Sequence, residues 1–282
     1  MANSTALAVR VERASAGNLV RLGRTIRSQD PTWGTQVFSV ADGVAVLCGD
    51  GFFVNALFAA GLTEQVSAND LDQFEQRCAA MGLPSSIEIS SATRPELARF
   101  LPKRGYETSG SVEAFTIEMD DAQITRVEFE VAQSGPNLTI ESANEGLLGL
   151  WQETCAAAWG HTSVEARRAS DTFAAAAAIV DGPGLLIARD ESDGRPVATA
   201  SVTIHDGVAT LGGMSTLPAE RRRGIQKALI AHRLGFARSM GCDLAYTTAV
   251  TGGDSARNLA RHGFQHLHTK TTHVLKSSAT GV

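Results

Sequence analysis

Two dipeptides recur along the chain at almost the same spacing. Met81-Gly82 lies 159 residues before Met240-Gly241, and Gly105-Tyr106 lies 158 residues before Gly263-Phe264. A fixed offset between similar segments is the usual trace of a duplicated structural unit. In a chain of 282 residues, each copy would have the size of an ordinary domain. The spacing therefore predicts two copies of one fold in tandem.

Apolar periodicity and helix-end glycines predict the same order of elements around these landmarks in both halves. Helix, strand, helix and strand are predicted in turn over residues 67–82, 86–89, 93–104 and 112–119. The same four elements are predicted over residues 224–240, 244–248, 255–262 and 264–275. The matching order supports duplication more strongly than the dipeptides alone.

The second half carries further elements before these four. Two helices are predicted over 140–159 and 164–180, and three strands over 185–189, 196–204 and 208–217. Asp206-Gly207 is a strong two-residue hairpin signal between the last two strands. The predicted fold class is α/β, a mixed sheet with helices packed on it. A linker near residue 125 divides the chain into predicted domains 1–125 and 126–282.

Composition excludes several classes of protein. Apolar residues make up 43% and charged residues 20%, which is typical of a globular chain with a core and not of a disordered or collagen-like one. No apolar run reaches the ~18 residues of a membrane span, and the first residues lack a secretory pattern. We therefore expect a cytoplasmic protein. The net charge of −5 argues against a nucleic-acid partner.

The four cysteines are scattered without a C-x-x-C pair. We expect them to be small core residues, because neither a disulfide framework nor a structural zinc site fits this spacing.

The sharpest chemical signal is the segment LPAERRRGIQKAL, residues 217–229. A strand ends there, a basic turn follows, and a helix begins at or just before Gly224. The first N–H groups of a helix lack acceptors inside the helix, and the helix dipole is positive at that end. Three arginines oppose that dipole, so helix stability does not explain them. A solvated basic turn is the plain alternative to the anion-binding loop, for phosphate or pyrophosphate, that this pattern indicates.

The run from Arg221 to Gln226 resembles the Arg/Gln-x-x-Gly-x-Gly/Ala loop of the GCN5-related N-acetyltransferases (GNAT), with Gln226 in place of the final small residue. The element order over residues 138–275, ending on Gly263-Phe264, is similar as well. The resemblance implies two tandem GNAT-like domains, the second of which binds acetyl-CoA. It also implies direct transfer of the acetyl group to an amine of a small molecule, without metal.

The resemblance further implies a donor site built from a strand end, the loop and two helices. Strand residues would pair with the pantetheine arm, loop N–H groups would hold the pyrophosphate, and residues of the last helix would touch the pantetheine or adenosine side. The implied residues are Met214, Ser215, Thr216, Arg221, Arg222, Arg223, Gly224, Ile225, Gln226, Lys227, Ser255 and Asn258.

Catalytic groups are marked less clearly. The backbone N–H of Ser215 or Thr216 is the candidate oxyanion donor. The family often places a tyrosine four residues before the Gly-Phe pair, but that position is Leu259 here. Tyr246, on the preceding strand, is the candidate acid in its place, and a half-buried strand tyrosine is the plain interpretation.

Other polar residues carry weaker signals. Glu153, His161 and Glu165 lie in segments that commonly border the acceptor in this family, and their plain interpretation is surface charge. His266 and His268 alternate on a strand. Without a third ligand nearby, we expect solvent-facing histidines rather than a metal site.

The first copy lacks the loop. The matching segment, Ala59–Val66, has no arginine and contains Glu64, which would repel a pyrophosphate. We expect a degenerate copy that shapes the acceptor cleft or the domain interface. Alternatives for the whole chain are a larger acyl-CoA or carrier-protein thioester as donor, a hydroxyl acceptor, or a non-catalytic acyl-CoA sensor. A monomer and a homodimer are both compatible with the sequence.

Overall fold

A computed structural model describes residues 2–120, 125, 135–143, 146–160 and 163–275. The chain divides into two compact units. Unit 1 contains Met1–Ala114, Ala249–Ala256 and His266–Val282, and unit 2 contains Phe115–Thr248 and Arg257–Gln265. The predicted boundary near residue 125 falls in a stretch of which only residue 125 is described, so it stays a prediction.

Unit 1 has helices packed on a mixed sheet. Its elements are α1 (Ala2–Gln29), β1 (Gln36–Val40), β2 (Gly43–Leu47), β3 (Ala56–Phe58), α2 (Ala68–Ala80), β4 (Ser86–Ile89), α3 (Pro95–Phe100), β5 (Tyr106–Glu118) and the last strand of the chain, β11 (Gln265–Leu275). The sheet order is β1-β2-β3-β4-β11-β5. Strands β3 and β4, which flank α2, are parallel, and β11 pairs antiparallel with β4.

Local signals explain where α2 lies. Ser67 and Asp70 form a reciprocal capping box at its start. Leu71, Phe74 and Cys78 recur at helical spacing, and all three are buried in the main core of unit 1.

Unit 2 packs helices on a mixed set of strands. Its elements, besides the end of β5, are β6 (Leu138–Ser142), α4 (Leu148–Trp159), α5 (Val164–Asp181), β7 (Leu185–Asp190), β8 (Pro196–His205), β9 (Val208–Thr216), α6 (Ile225–Ser239), β10 (Leu244–Val250) and the C-terminal part of α7 (Asp254–Arg261). The order is β5-β10-β9-β8-β7-β6. Strands β9 and β10 are parallel, and β6 to β9 are antiparallel.

Helix α6 is fixed by burial of one face against this sheet. Ile225 and Leu229 share a core cluster with Val197 and Ala200 of β8. The N-terminus of the helix is thereby held at the end of β9.

The predicted turn at Asp206-Gly207 is confirmed, with φ values of +49° and +72°. The predicted helix over 140–159 is wrong in its first part, because residues 138–142 form β6 and the helix begins at Leu148. β6 is a short, half-exposed edge strand, and its pairing with β7 decides its conformation.

The recurring dipeptides are equivalent in structure. Gly82 and Gly241 follow the last turns of α2 and α6 with φ values of +67° and +75°. In each case, the N–H of the residue after the glycine returns to a carbonyl five residues back, at 2.9 Å from Leu83 and 3.1 Å from Cys242. This is the Schellman arrangement.

The second landmark repeats the same bond. Tyr106 N–H donates to Leu101 O, and Phe264 N–H donates to Leu259 O, each at 3.1 Å. The two dipeptides therefore mark like positions of like elements.

The expected α/β class, a mixed sheet with packed helices, is confirmed. All four cysteines are free and buried, as the sequence predicts. Among the described residues, no helix is long and apolar enough to cross a membrane.

Candidate functional site

The loop between β9 and α6 presents backbone N–H groups at the start of a helix. Gly224 caps α6 with a φ of +79°, and Arg222 has a φ of +67°. A Cβ at Gly224 would meet Pro136 Cδ at 3.5 Å, an ordinary contact, so the left-handed φ rather than crowding favours glycine. Within the described residues, the N–H groups of Arg222, Arg223 and Gly224 find no acceptor. They are available, with the first turn of α6, to bind an anion.

A network of carboxylate and arginine side chains connects this loop to the β7–β8 turn. Arg223 donates to Asp190 at 2.7 Å and also pairs with Glu220. Arg195 bonds the other oxygen of Glu220 at 2.6 Å. The Arg223 side chain thus stabilises the loop through Asp190 and Glu220. Its backbone N–H is the group that can bind a ligand.

Hydrogen bonds from Ser192 and Arg223 hold the pKa of Asp190 well below its ordinary value. Those from Arg195 and Arg223 lower the pKa of Glu220. Both carboxylates are therefore ionised at neutral pH, and the network keeps its opposite charges.

The other two arginines of the loop extend into solvent. Arg221 and Arg222 are exposed, and Arg221 Nε lies 3.4 Å from Thr216 O. Their charge adds to the positive potential at the start of α6.

Strands β9 and β10 run parallel and then separate. Their register joins residues 208–210 to residues 244–246, yet β9 continues to Thr216. Where they part, the Thr247 hydroxyl donates to Leu211 O at 2.8 Å. The separation opens the backbone edge of β9 to an extended ligand that can pair with it as an added strand.

Strand alternation tells which backbone groups of β9 face this opening. Leu217 N–H donates to Val197 O of β8 at 3.0 Å, and successive N–H groups of a strand point to opposite sides. The N–H of Thr216 therefore points away from β8, toward the opening, whereas that of Ser215 points to its partner Thr199. Of the two predicted oxyanion donors, alternation favours Thr216.

A β-bulge lies beside these residues. Gly213 and Met214 together oppose Ala200 of β8. Gly213 has a φ of +55°, and a Cβ there would lie 2.9 Å from Ser201 Oγ, so both strain and crowding require glycine. A bulge redirects backbone groups out of the ladder, here at the predicted donor-site residue Met214.

Tyr246 occupies the last register pair before β9 and β10 separate, opposite Thr210. Its side chain is 2% exposed, more deeply buried than a half-buried strand tyrosine. Leu259, at the position of the family's helix tyrosine, is also buried. A role for Tyr246 as an acid stays a prediction.

Two predicted donor-site residues meet directly. Asn258 Nδ2 of α7 donates to Gln226 Oε1 of α6 at 2.8 Å. Gln226, which departs from the small residue of the loop pattern, is thus held by a partner in α7. The prediction that Ser255 caps α7 is wrong, because the helix begins one residue earlier, at Asp254, and Ser255 is exposed in its first turn.

The loop between β3 and α2, at the matching place in unit 1, has its N–H groups already bound. The Asp42 carboxylate accepts from the backbone N–H groups of Gly61 at 2.7 Å, Thr63 at 2.5 Å and Glu64 at 3.2 Å. The Thr63 hydroxyl donates to it as well, at 2.9 Å. The Asp42 carboxylate thus occupies the N–H groups of this loop that could otherwise bind an external anion.

Partial burial raises the pKa of Asp42, but the bonds from Thr63, Glu64 and Gly61 outweigh it, so the pKa lies below its ordinary value. The carboxylate is ionised at neutral pH and acts as a fixed anion in the loop.

Comparison with known proteins agrees with this geometry. Residues 144–264 match the model of the acetyltransferase (GNAT) family. The chain carries a GNAT domain. The match includes β9, the loop, α6 and β10, the elements that form the candidate site, and it supports an acyltransferase. No curated protein matches the chain by sequence.

Solved structures resemble the chain beyond the GNAT domain. A GCN5-related N-acetyltransferase from Kribbella flavida is 20% identical, with a TM-score of 0.64 and 97% of each chain covered. A second, from Sphaerobacter thermophilus, is 16% identical with a TM-score of 0.57, over 86% of this chain and 76% of that one. A tandem GNAT protein from the clavulanic acid biosynthesis pathway is 12% identical with a TM-score of 0.55, over 74% and 70%. At these identities the likeness is one of fold.

The histidines of β11 differ from expectation in one case. His266 is exposed, as predicted, but His268 is buried, with its Nε2 2.8 Å from Glu12 Oε1. The expectation of a solvent-facing His268 is wrong because β11 turns that residue toward α1. In the described part of the chain, no three His, Cys, Asp or Glu side chains come together as a metal site needs.

The residues predicted near the acceptor lie on α4 and α5 of the GNAT domain. Glu153 is exposed and pairs with Arg167 at 2.9 Å, and Arg167 also bonds Asp171. Glu165 is exposed in the first turn of α5, where its charge favours the helix start. His161 lies outside the described residues.

Four charged residues of these sites carry no prediction from the sequence: Asp42, Asp190, Glu220 and Arg233. Asp42 and Asp190 bind loops that are distant in sequence, so no local pattern marks them. Glu220 lies in the loop itself, three residues before Arg223, and could have been considered as its partner. Arg233 had a readable signal, because it follows Leu229 by four residues on the apolar face of α6.

Proposed function

We propose that the GNAT domain transfers the acetyl group of acetyl-CoA directly to an amine of a small molecule. The observation that carries the proposal is the row of N–H groups without acceptors at Arg222, Arg223 and Gly224, placed beside the opening between β9 and β10. Such a loop fits a pyrophosphate, and such an opening fits the extended pantetheine arm.

In the proposed reaction, a neutral amine nitrogen attacks the thioester carbon. The C–N bond forms, the carbonyl oxygen gains negative charge, and the C–S bond then breaks. The amine loses one proton and the CoA thiolate gains one, so charge and atoms balance. The N–H of Thr216 on β9, which points away from β8 toward the opening, is the proposed oxyanion donor. Holding both substrates in line supplies the rest of the acceleration.

Tyr246 is the proposed proton donor to the thiolate, because it stands where β9 and β10 part. We expect Tyr246→Phe to lower kcat at least about tenfold while acetyl-CoA affinity stays unchanged, as removal of a general acid does. Stopped-flow turnover and calorimetry measure the two quantities. An unchanged kcat in the variant assigns proton transfer to another group.

We further propose one donor site per chain, in the GNAT domain. The carboxylate of Asp42 in the loop of unit 1 supports this, because it binds the N–H groups that an incoming pyrophosphate would need. Glu64 and the absence of arginine from residues 59–66 add repulsion.

The test is a calorimetric titration with acetyl-CoA followed by thiol-release assays with a panel of amines. We expect a stoichiometry near one per chain and turnover with at least one amine. Two acetyl-CoA molecules per chain contradict the single site, and no binding at all contradicts the proposal.

Two alternatives have their own outcomes in the same assays. A preference for a longer acyl-CoA or a carrier-protein thioester changes the donor and keeps the site. Tight acetyl-CoA binding without turnover on any amine or alcohol favours a non-catalytic sensor, which the buried Leu259 at the tyrosine position would fit.

A further inference from the structure

Helix α6 carries a fully buried arginine beneath the bulge of β9. Arg233 is 2% exposed. Its Nη1 donates to the carbonyl oxygens of Gly212 and Ser201, both at 3.3 Å, and its Nη2 lies 3.3 Å from Met214 Sδ. Its Nε donates to Leu229 O of the same helix at 3.1 Å. The guanidinium thus contacts β8 at Ser201 and β9 at Gly212, the residue pair next to the bulge. It also contacts Met214, which lies in the bulge.

The stability of the fold does not explain an arginine at position 233. Among the described residues, no carboxylate pairs with it, and its acceptors are carbonyls and a thioether. Burial without a counter-charge lowers the pKa of Arg233 to about 10. An apolar side chain at this position would pack on the sheet without that cost. We therefore look for a role of the Arg233 guanidinium, with its charge and its planar set of N–H donors, in the candidate site beside the β9 bulge.

The fork contacts the peptide groups that shape the bulge. The carbonyl of Gly212 belongs to the same peptide unit as the N–H of Gly213, so the guanidinium polarises that unit and fixes its plane. The next residue, Met214, is the second residue of the bulge, and it lies two positions before Thr216, whose N–H points toward the opening between β9 and β10. On the C-terminal side of the bulge in β9, the next register pair is Thr199 with Ser215. A hydrogen bond of 2.6 Å joins their hydroxyls.

We propose that Arg233 is a positioning residue for acyl transfer, which holds the β9 bulge so that the N–H of Thr216 meets the thioester oxygen. The inference rests on the proposed function. Arg233 touches no substrate atom and acts through Gly212 and Met214. Loss of a direct oxyanion donor costs about 10²–10³ in kcat. For a residue one step removed, we expect a loss of about 10- to 100-fold.

The experiment compares Arg233→Met and Arg233→Lys with Arg238→Met, a matched change on the same helix away from the bulge. Lysine keeps the charge but not the planar fork. For both Arg233 variants we expect kcat to fall at least tenfold below the Arg238→Met level, with the Kd of acetyl-CoA within about threefold of wild type. Amide hydrogen exchange should accelerate in residues 211–216 and stay unchanged in α2 of unit 1.

A folded Arg233→Lys protein with kcat within threefold of Arg238→Met overturns the inference, whether or not Arg233→Met folds. If the wild type releases no thiol with any donor and acceptor, the proposed function fails, and hydrogen exchange then decides the inference alone. Unchanged exchange in residues 211–216 overturns it, and faster exchange there supports it.

Discussion

The loop after β9 and the loop after β3 occupy the same place in two similar arrangements of strand, loop, helix and parallel strand. In the GNAT domain, the N–H groups at Arg222, Arg223 and Gly224 find no acceptor among the described residues, and carboxylates bind the loop from below. In unit 1, Asp42 binds the N–H groups from within. The same backbone plan therefore leaves its N–H groups open in one case and fills them with a carboxylate in the other.

A strand–loop–helix geometry therefore does not by itself make an anion site. What matters is whether the loop's donors are already bound by a carboxylate of the same chain. In the GNAT domain, Asp190 and Glu220 bind arginine side chains, so that the backbone donors stay available. In unit 1, one carboxylate satisfies the backbone itself.

The largest effect should come from placing a carboxylate in the open loop. Gly224→Asp should weaken acetyl-CoA binding at least about 100-fold relative to Gly224→Asn, because like charges would meet where the pyrophosphate lies. The two variants share the strain of a left-handed φ, which both residue types tolerate better than others. Calorimetry measures the two affinities. Equal affinities would show that the pyrophosphate does not lie at this loop.

Next in size is removal of the carboxylate from the filled loop. Asp42→Asn should lower the free energy of unfolding by about 1–2 kcal/mol, since three N–H groups lose an ionised acceptor in a half-exposed setting. Chemical denaturation measures it, with Glu96→Gln as the control. Glu96 makes only exposed pairs at 3.7 Å with Arg94 and Arg99, which contribute little. An Asp42 variant as stable as this control would contradict a structural role for the filled loop.

The same Asp42 variant also tests ligand binding by the loop of unit 1. We expect its acetyl-CoA stoichiometry to stay at one per chain, because residues 59–66 still lack arginine. A second molecule bound to the variant would mean that Asp42 alone keeps the loop of unit 1 from binding the ligand.

A smaller effect should follow from loosening the open loop. Glu220→Gln should weaken acetyl-CoA binding about threefold to tenfold, because Arg195 and Arg223 lose their shared partner and the backbone donors are held less firmly. Glu191→Gln, an exposed carboxyl on the β7–β8 turn, is the control. If both variants bind as the wild type does, the network is not what orders the loop.

The smallest effect is on acid stability. The pKa of Asp42 is lowered in the folded chain, so its contribution is present above the ordinary value of 3.8 and is lost as the pH falls through the folded value. Asp42→Asn has no proton to take up there. Between pH 5 and pH 3, the variant should lose less stability than the wild type, by a fraction of the ~1.4 kcal/mol per pH unit of one proton. Parallel acid-unfolding curves would contradict this.

Local patterns were enough to predict much of the molecule. The strand at residues 86–89 was predicted with its exact bounds, and α6 was predicted to within one residue at each end. The loop at residues 217–224 was found because arginines at a helix start conflict with the helix dipole. These features depend on neighbours within a few positions, which the sequence displays directly.

Other features depend on partners far along the chain. Residues 140–142 of strand β6 were predicted as helix, because only the pairing of β6 with β7 makes it a strand. The histidine at 268 was expected in solvent, because the strand does not reveal that Glu12 lies opposite it. Helix α1 and the strands before residue 66 carried no prediction.

From the sequence alone one can predict that the chain repeats one order of elements, that its second half has a basic loop at a helix start, and which family that half resembles. Helix periodicity, caps and charge near a helix end are local properties, so they survive in the sequence. Tertiary structure decided which loop is open and which is filled, which arginine anchors and which faces solvent, and that a buried guanidinium lies under the bulge. Those outcomes depend on contacts such as Asp42 with Gly61 and Arg233 with Gly212, about twenty residues apart in sequence, which only folding brings within hydrogen-bonding distance.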